Sequence, residues 1–116
     1  MQKKQPKKPV SVHWKVRITR AHHKPYIART LSISHKQLHL ESEFNLKAEE
    51  KVKVEISALF NGEKKVLVVL GKVTSSILLS SGSSYGLNIY IDRISAEHQL
   101  FIDNYISARE KMAINH

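Results

Sequence analysis

Cysteine is absent from this 116-residue chain. That excludes disulfides and any zinc site built on thiolates. No apolar run approaches the roughly 18 residues that a membrane-spanning helix needs. The opening MQKKQPKKP has the charge of a signal peptide's first region, but no apolar run follows it. Export is not expected, and a cytoplasmic location fits. Acidic residues are scarce, with 10 Asp and Glu against 19 Lys and Arg. Asp92 and Asp103 are the only aspartates, and both fall near the C-terminal end. A hydrolytic triad needs a positioned base and an orienting acid, and the serines of SSILLSSGSS read as loop and edge residues. No enzyme is expected. His22-His23 and the pair His35/His39 could suggest a metal. Neighbouring strand residues point to opposite faces, however, and spacing by four converges only on a helix. No acid lies beside these histidines in the sequence, so they read as exposed turn residues and no metal is expected. Aromatic residues make up only 7%, too few to display a stacking platform for single-stranded nucleic acid.

What the chain does have is apolar content and positive charge. Hydrophobic residues make up 41%, enough for one modest core in a single domain. The net charge is +9, which favours anionic partners. Lys3, Lys4, Lys7 and Lys8 lie in the first nine residues, with Pro6 and Pro9 resisting regular structure. Residues 1–9 are expected to form a flexible basic arm and residues 10–116 the folded domain.

Strand signals dominate the folded part. VSVHWKVRI alternates cleanly, placing Val10, Val12, Trp14, Val16 and Ile18 on one face. AHHKP reads as a turn, Tyr26 to Ile33 as a second strand and Gln37 to Glu41 as a third. SEFNLKAEE is an irregular link. A fourth strand runs from Val52 to Phe60 and meets Asn61-Gly62, a hairpin signal because both residues accept positive φ. KKVLVVLGKVTSSILL is a long strand in which Gly71 marks a bend or bulge. SSGSS is a loop, and YGLNIYI the last strand. Val12, Trp14, Val16, Val54, Ile56 and Val68 are expected to point inward.

The C-terminal segment is helical. Ser95 is a good N-cap, and Glu97 in the first turn complements the helix dipole. Phe101, Ile102, Tyr105, Ile106 and Met112 form a broad apolar stripe. Phe101, Tyr105 and Met112 are expected to cap a barrel. Ile102 and Ile106, at the stripe's edge, are expected to face a protein partner or a second copy of the chain. The expectation is therefore a mostly β protein: a six-stranded antiparallel β-barrel, closed to remove its edges, with one C-terminal α-helix.

In its order of elements the chain resembles the PilZ domain, a bacterial β-barrel family of cyclic di-GMP receptors. ARTLSISHKQLHLES is similar to that family's D/N-x-S-x-x-G turn with its flanks. LGKVTS is similar to its penultimate strand, and YGLNIYIDRISAEHQLFIDNYI to its last strand, link and helix. The resemblance runs from about Lys3 to Ile106. It implies bacterial signalling through cyclic di-GMP, control of motility, biofilm formation or virulence, and a protein partner in a signalling, pilus or flagellar system.

The resemblance also implies the ligand positions. The family's R-x-x-x-R pair falls on Lys4 and Lys8, its Asp or Asn on Ser32, its serine on Ser34 and its glycine on Gln37. Only the serine is kept. Lysine lacks the planar fork that grips phosphate and stacks on guanine. Serine offers one small hydroxyl where aspartate accepts two hydrogen bonds. Glutamine blocks space that glycine leaves open and resists positive φ. Each loss costs roughly 1–3 kcal/mol. The expectation is a weak or non-binding adaptor with no cofactor, acting by protein contact. One alternative is a working receptor that uses the arm lysines with Arg20 or Arg29. Another is a basic barrel that binds single-stranded nucleic acid, with His13, Lys15, Arg17 and Arg20 along its first strand.

Overall fold

The computed structural model describes residues 8–114. Its strands are β1 (Val10–Ser11), β2 (Lys15–Arg20), β3 (Tyr26–Ile33), β4 (Gln37–Ser42), β5 (Lys51–Phe60), β6 (Glu63–Leu78) and β7 (Tyr85–Ile94), followed by the helix α1 (Ala96–Ile114). All pairings are antiparallel. The order β3-β2-β5-β6-β7-β4 closes through a β3–β4 pairing, with β1 added beside β3. The protein is therefore a six-stranded barrel with one extra short strand and a C-terminal helix.

The alternation read from the sequence builds the interior. Val16 and Ile18, Leu38 and Leu40, Val54 and Ile56, Leu67 and Val69, and Leu87 and Ile89 are all buried. Val68 is not inward as expected: it points out between Leu67 and Val69, which fill the barrel. The run VLVVL is apolar in both phases, so its own pattern cannot say which phase faces in.

The first expected strand is broken rather than continuous. Between Ser11↔Ser32 and Lys15↔Arg29 the chain advances four residues against three on β3, leaving one extra residue. The buried Thr30 side chain fills this break. Its hydroxyl accepts from the Trp14 amide at 2.7 Å and donates to the Val12 carbonyl at 2.5 Å. Val12 and Trp14 stay buried on both sides of the interruption.

β6 joins two neighbours. Its first part pairs with β5 from Phe60↔Glu63 to Lys51↔Lys72, and its second part with β7 from Val69↔Ile94 to Leu78↔Tyr85. It bends between them, with a register shift at Leu70/Gly71. An added Cβ at Gly71 would sit 2.5 Å from Ile89 Cγ2 and 2.8 Å from the Tyr90 carbonyl oxygen. The bulge expected at Gly71 is thus present, and only glycine fits there. The β5–β6 connection is the Asn61-Gly62 turn, with φ of 53° and 74°.

Ser95 caps α1 by accepting from the His98 amide at 3.1 Å. The helix then crosses the open end of the barrel. Phe101 and Tyr105 meet Trp14 and Phe60, with ring centroids 4.7 to 6.4 Å apart. Ile102 and Ile106 are 0% and 1% exposed. The expectation that they face a partner is corrected: the barrel mouth takes the centre of the stripe, and these two side chains are that centre. Met112, expected to cap the barrel, is 60% exposed, as is Leu100 at 59%.

Candidate functional site

Three of the residues that the sequence pattern marks for a ligand, Ser32, Ser34 and Gln37, gather at one turn. Ser34 closes it by donating its amide to the Gln37 carbonyl at 2.9 Å, so β3 and β4 are joined through His35 and Lys36. Ile33 points into the barrel, leaving Ser32 and Ser34 on the outer side. Ser32, Ser34 and Gln37 line one shallow cleft with Pro9, His39 and Asn88, of about 90 Å³. Lys8 is exposed and immediately precedes Pro9. Lys4, the other member of the expected basic pair, lies outside the described residues. So does the expected arm, apart from Lys8 and Pro9. The cleft offers hydroxyls, amides and an imidazole, with neither guanidinium nor carboxylate in its lining.

Gln37 corrects one expectation. It opens β4, and the non-glycine residues with positive φ among those described are His22, Glu49 and Asn61. Glutamine therefore bears no left-handed strain here. Its effect on a ligand would come from bulk alone.

The two arginines considered as substitutes are held elsewhere. Arg29, on β3, donates Nε to Glu41 Oε1 at 2.9 Å, and Glu41 also accepts from Ser84 Oγ at 2.7 Å. These hydrogen bonds, Ser84's first, hold the Glu41 carboxyl below its usual range. Arg29 belongs to a different groove of about 520 Å³, shared with His13, Lys15 and Ile27. Arg20, at the end of β2, donates to both oxygens of Glu50 at 2.6 and 3.3 Å. The Arg20 guanidinium keeps the Glu50 carboxyl below its usual value despite partial burial.

The turn is also tied to α1. His35 Nδ1 donates to Asp103 Oδ1 at 2.7 Å, and Gln99 donates Nε2 to both the His35 carbonyl, at 3.1 Å, and Asp103, at 2.9 Å. The Ile91 amide donates to the Lys36 carbonyl at 2.9 Å, fixing the other side. His35 was expected to be a plain exposed histidine with no acid beside it. The helix instead folds back over the barrel and brings Asp103, 68 residues away in sequence, against it. His22 and His23 are exposed turn residues, as expected. No group of three or more metal-ligating side chains occurs among the described residues. No helix among them is long and apolar enough to cross a membrane.

The outer face of β2, β5 and β6 is a second feature. Lys15, Arg17, Lys51, Lys53 and Lys64 point outward there. Between them run the exposed side chains Leu59, Val66, Val68 and Leu70. The sequence displays the lysines openly in KVKVEIS, but the apolar ridge depends on the phase of β6 and was missed.

No protein-family model matches the chain, and no curated protein matches it in sequence. Among solved structures it matches the inhibitor of motility MotI/DgrA of Bacillus subtilis, with a TM-score of 0.81 at 12% identity. The match covers 95% of this chain and 54% of that one, so this chain spans about half of that protein's length. At this identity the likeness shows the fold alone, the six-stranded barrel with one extra strand and a C-terminal helix.

Proposed function

We propose that this chain is a non-catalytic PilZ-like signalling domain that acts by contact with another protein and binds cyclic di-GMP weakly or not at all. The observation that carries the reading is the cleft at the β3–β4 turn. About 90 Å³ is small for a dinucleotide site, since pockets that bury ligands usually exceed about 300 Å³. Its lining holds no fork for phosphate, and Arg20 and Arg29 are engaged with Glu50 and Glu41. The fold likeness to a named inhibitor of motility supports a role in controlling motility or surface attachment.

A receptor reading draws on one fact: Pro9 lines the cleft, so Lys8 leaves the barrel beside it. A nitrogen–proton correlation titration with cyclic di-GMP separates the two. We expect a dissociation constant weaker than about 10 µM, steeply salt-dependent because exposed lysine charge is screened within about 8 Å at physiological ionic strength. Restoring Lys4→Arg, Lys8→Arg, Ser32→Asp and Gln37→Gly together should strengthen binding. Tight, salt-tolerant, guanine-selective binding by the unmodified chain would establish the receptor instead.

A further inference from the structure

We propose that the outer face of β5 and β6 is a docking surface for an acidic, amphipathic segment of a partner protein. The inference rests on the adaptor reading above and names the chemistry of its partner. The face is built by strand register. Three cross-strand rows stack on it: Lys15–Ser57–Val66, Arg17–Glu55–Val68 and Thr19–Lys53–Leu70. The β6 ends of these rows form a continuous apolar ridge, with Val66, Val68 and Leu70 exposed by 56%, 37% and 43%. Leu59 extends it on β5. Such a ridge is more than the scattered exposure that ordinary surfaces show.

Charge complementarity identifies the occupant. Lys15, Arg17, Lys51, Lys53 and Lys64 stand in no ion pair with a described residue. Among the residues of the three rows, Glu55 is the single acid. Two hollows flank the ridge. One, of about 420 Å³, lies between Lys15, Lys64 and Leu59; the other, of about 540 Å³, lies between Lys51, Lys53, Leu70 and Arg93, where these three cations outnumber the single acid of its lining, Asp92. Apolar side chains seated on the ridge with carboxylates reaching into both hollows would satisfy the whole surface. A second copy would not, because it would set lysines against lysines. Single-stranded nucleic acid uses stacked aromatics, and this ridge is aliphatic. A membrane surface favours aromatic belts and has no use for side-chain hollows.

The test is a nitrogen–proton correlation titration of the full chain. The probe is a synthetic 21-residue helical peptide with one leucine stripe flanked on both sides by glutamates. The expected result is saturable shifts at residues 51–57 and 64–72, lost when the leucines become serine or the glutamates glutamine. Lys53→Glu and, independently, Val68→Ser should each weaken binding about tenfold. Both side chains are exposed, and each variant's spectrum reports whether it folds. No saturable response up to about 1 mM peptide overturns the proposal. So does equal binding of the serine peptide, or tighter binding at this face by a thymidine 12-mer or by vesicles with anionic lipid. Shifts confined to α1 would overturn this surface while leaving the adaptor reading standing. A tight cyclic di-GMP response would overturn the adaptor reading without altering the peptide result.

Discussion

Replacing Thr30 with valine should destabilise the barrel more than replacing it with serine, although valine is the closer match in shape. Thr30 is fully buried, and its hydroxyl substitutes for the ladder bond lost at the break between β1 and β2. It receives the Trp14 amide at 2.7 Å and donates to the Val12 carbonyl at 2.5 Å. Valine removes the oxygen and keeps the volume. The Trp14 N–H then has no acceptor, and a buried unpaired donor costs about 1–3 kcal/mol. The Val12 carbonyl loses its donor too, a smaller penalty because carbonyls tolerate partial satisfaction better. Together the loss is about 2–4 kcal/mol. At about 4 °C per kcal/mol for a domain of this size, Tm should fall by about 8–16 °C. Serine keeps the hydroxyl and deletes one methyl, worth about 1 kcal/mol or about 4 °C.

Thermal and urea melts followed by circular dichroism give the ordering. Trp14 fluorescence gives a local reading, because its ring packs against Tyr105 with centroids 4.7 Å apart. Emission should change in Thr30→Val and stay close to the parent in Thr30→Ser. If valine is tolerated better than serine, the hydroxyl does not hold this bulge and the account of the broken first strand is wrong.

Gly71→Ala should cost about 1–3 kcal/mol by overpacking, since its Cβ would meet Ile89 and the Tyr90 carbonyl; a denaturation midpoint equal to the parent's would contradict the tight crossing of β6 and β7. Ile102→Ala should cost about 2–5 kcal/mol and Met112→Ala under about 0.5 kcal/mol. The reverse order in urea melts would mean that the Ile102 side chain is not buried between α1 and the barrel. Glu50 has a folded pKa below its ordinary 4.5 because Arg20 donates to it. Its contribution to stability is therefore complete above that value and is lost as pH falls through the lower folded pKa. The Tm difference between the parent and Glu50→Gln should be flat near neutrality and shrink below about pH 4.5; a difference that widens in acid would refute the pairing.

Most of the fold was legible because period-two alternation, a positive-φ turn pair and a serine cap are local signals. β3 appeared with the bounds its alternation implied, and Asn61-Gly62 and Ser95 did what their chemistry favours. The errors share a cause: each depended on a neighbour distant in sequence. The phase of Val66 to Leu70 is set by pairing with β5, since the run itself is apolar either way. The break after Ser11 keeps the inward set of Val12, Trp14 and Val16, so alternation passes through it unmarked. A stripe as broad as that on α1 does not say which part the barrel takes, and Ile102 and Ile106 lie at its middle. His35 and Asp103 carry no local sign of each other. The outer ridge escaped notice with Val68, because assigning that residue inward removed its central member.

The same distinction bears on the turn between Ser34 and Gln37. The residues that made its flanks resemble a ligand motif are Ile33, Leu38 and Leu40, with Leu87 and Ile89 on β7, and all are buried in the barrel. Closure of the sheet requires them whether or not a ligand binds. The positions that would touch a ligand face outward, and there the chain keeps one serine of the motif. That serine has a structural use, since its hydroxyl donates to the Gln37 carbonyl at 3.4 Å beside its backbone amide at 2.9 Å, closing the turn. His35, between them, is occupied with Asp103 on α1. Each retained feature at this turn is thus explained by the barrel or by the helix seated across it. The resemblance therefore carries far more weight for fold than for cyclic di-GMP. The proposed function by contact points instead to side chains that no described residue engages in an ion pair, the outward lysines, and to the exposed aliphatic ridge of β5 and β6.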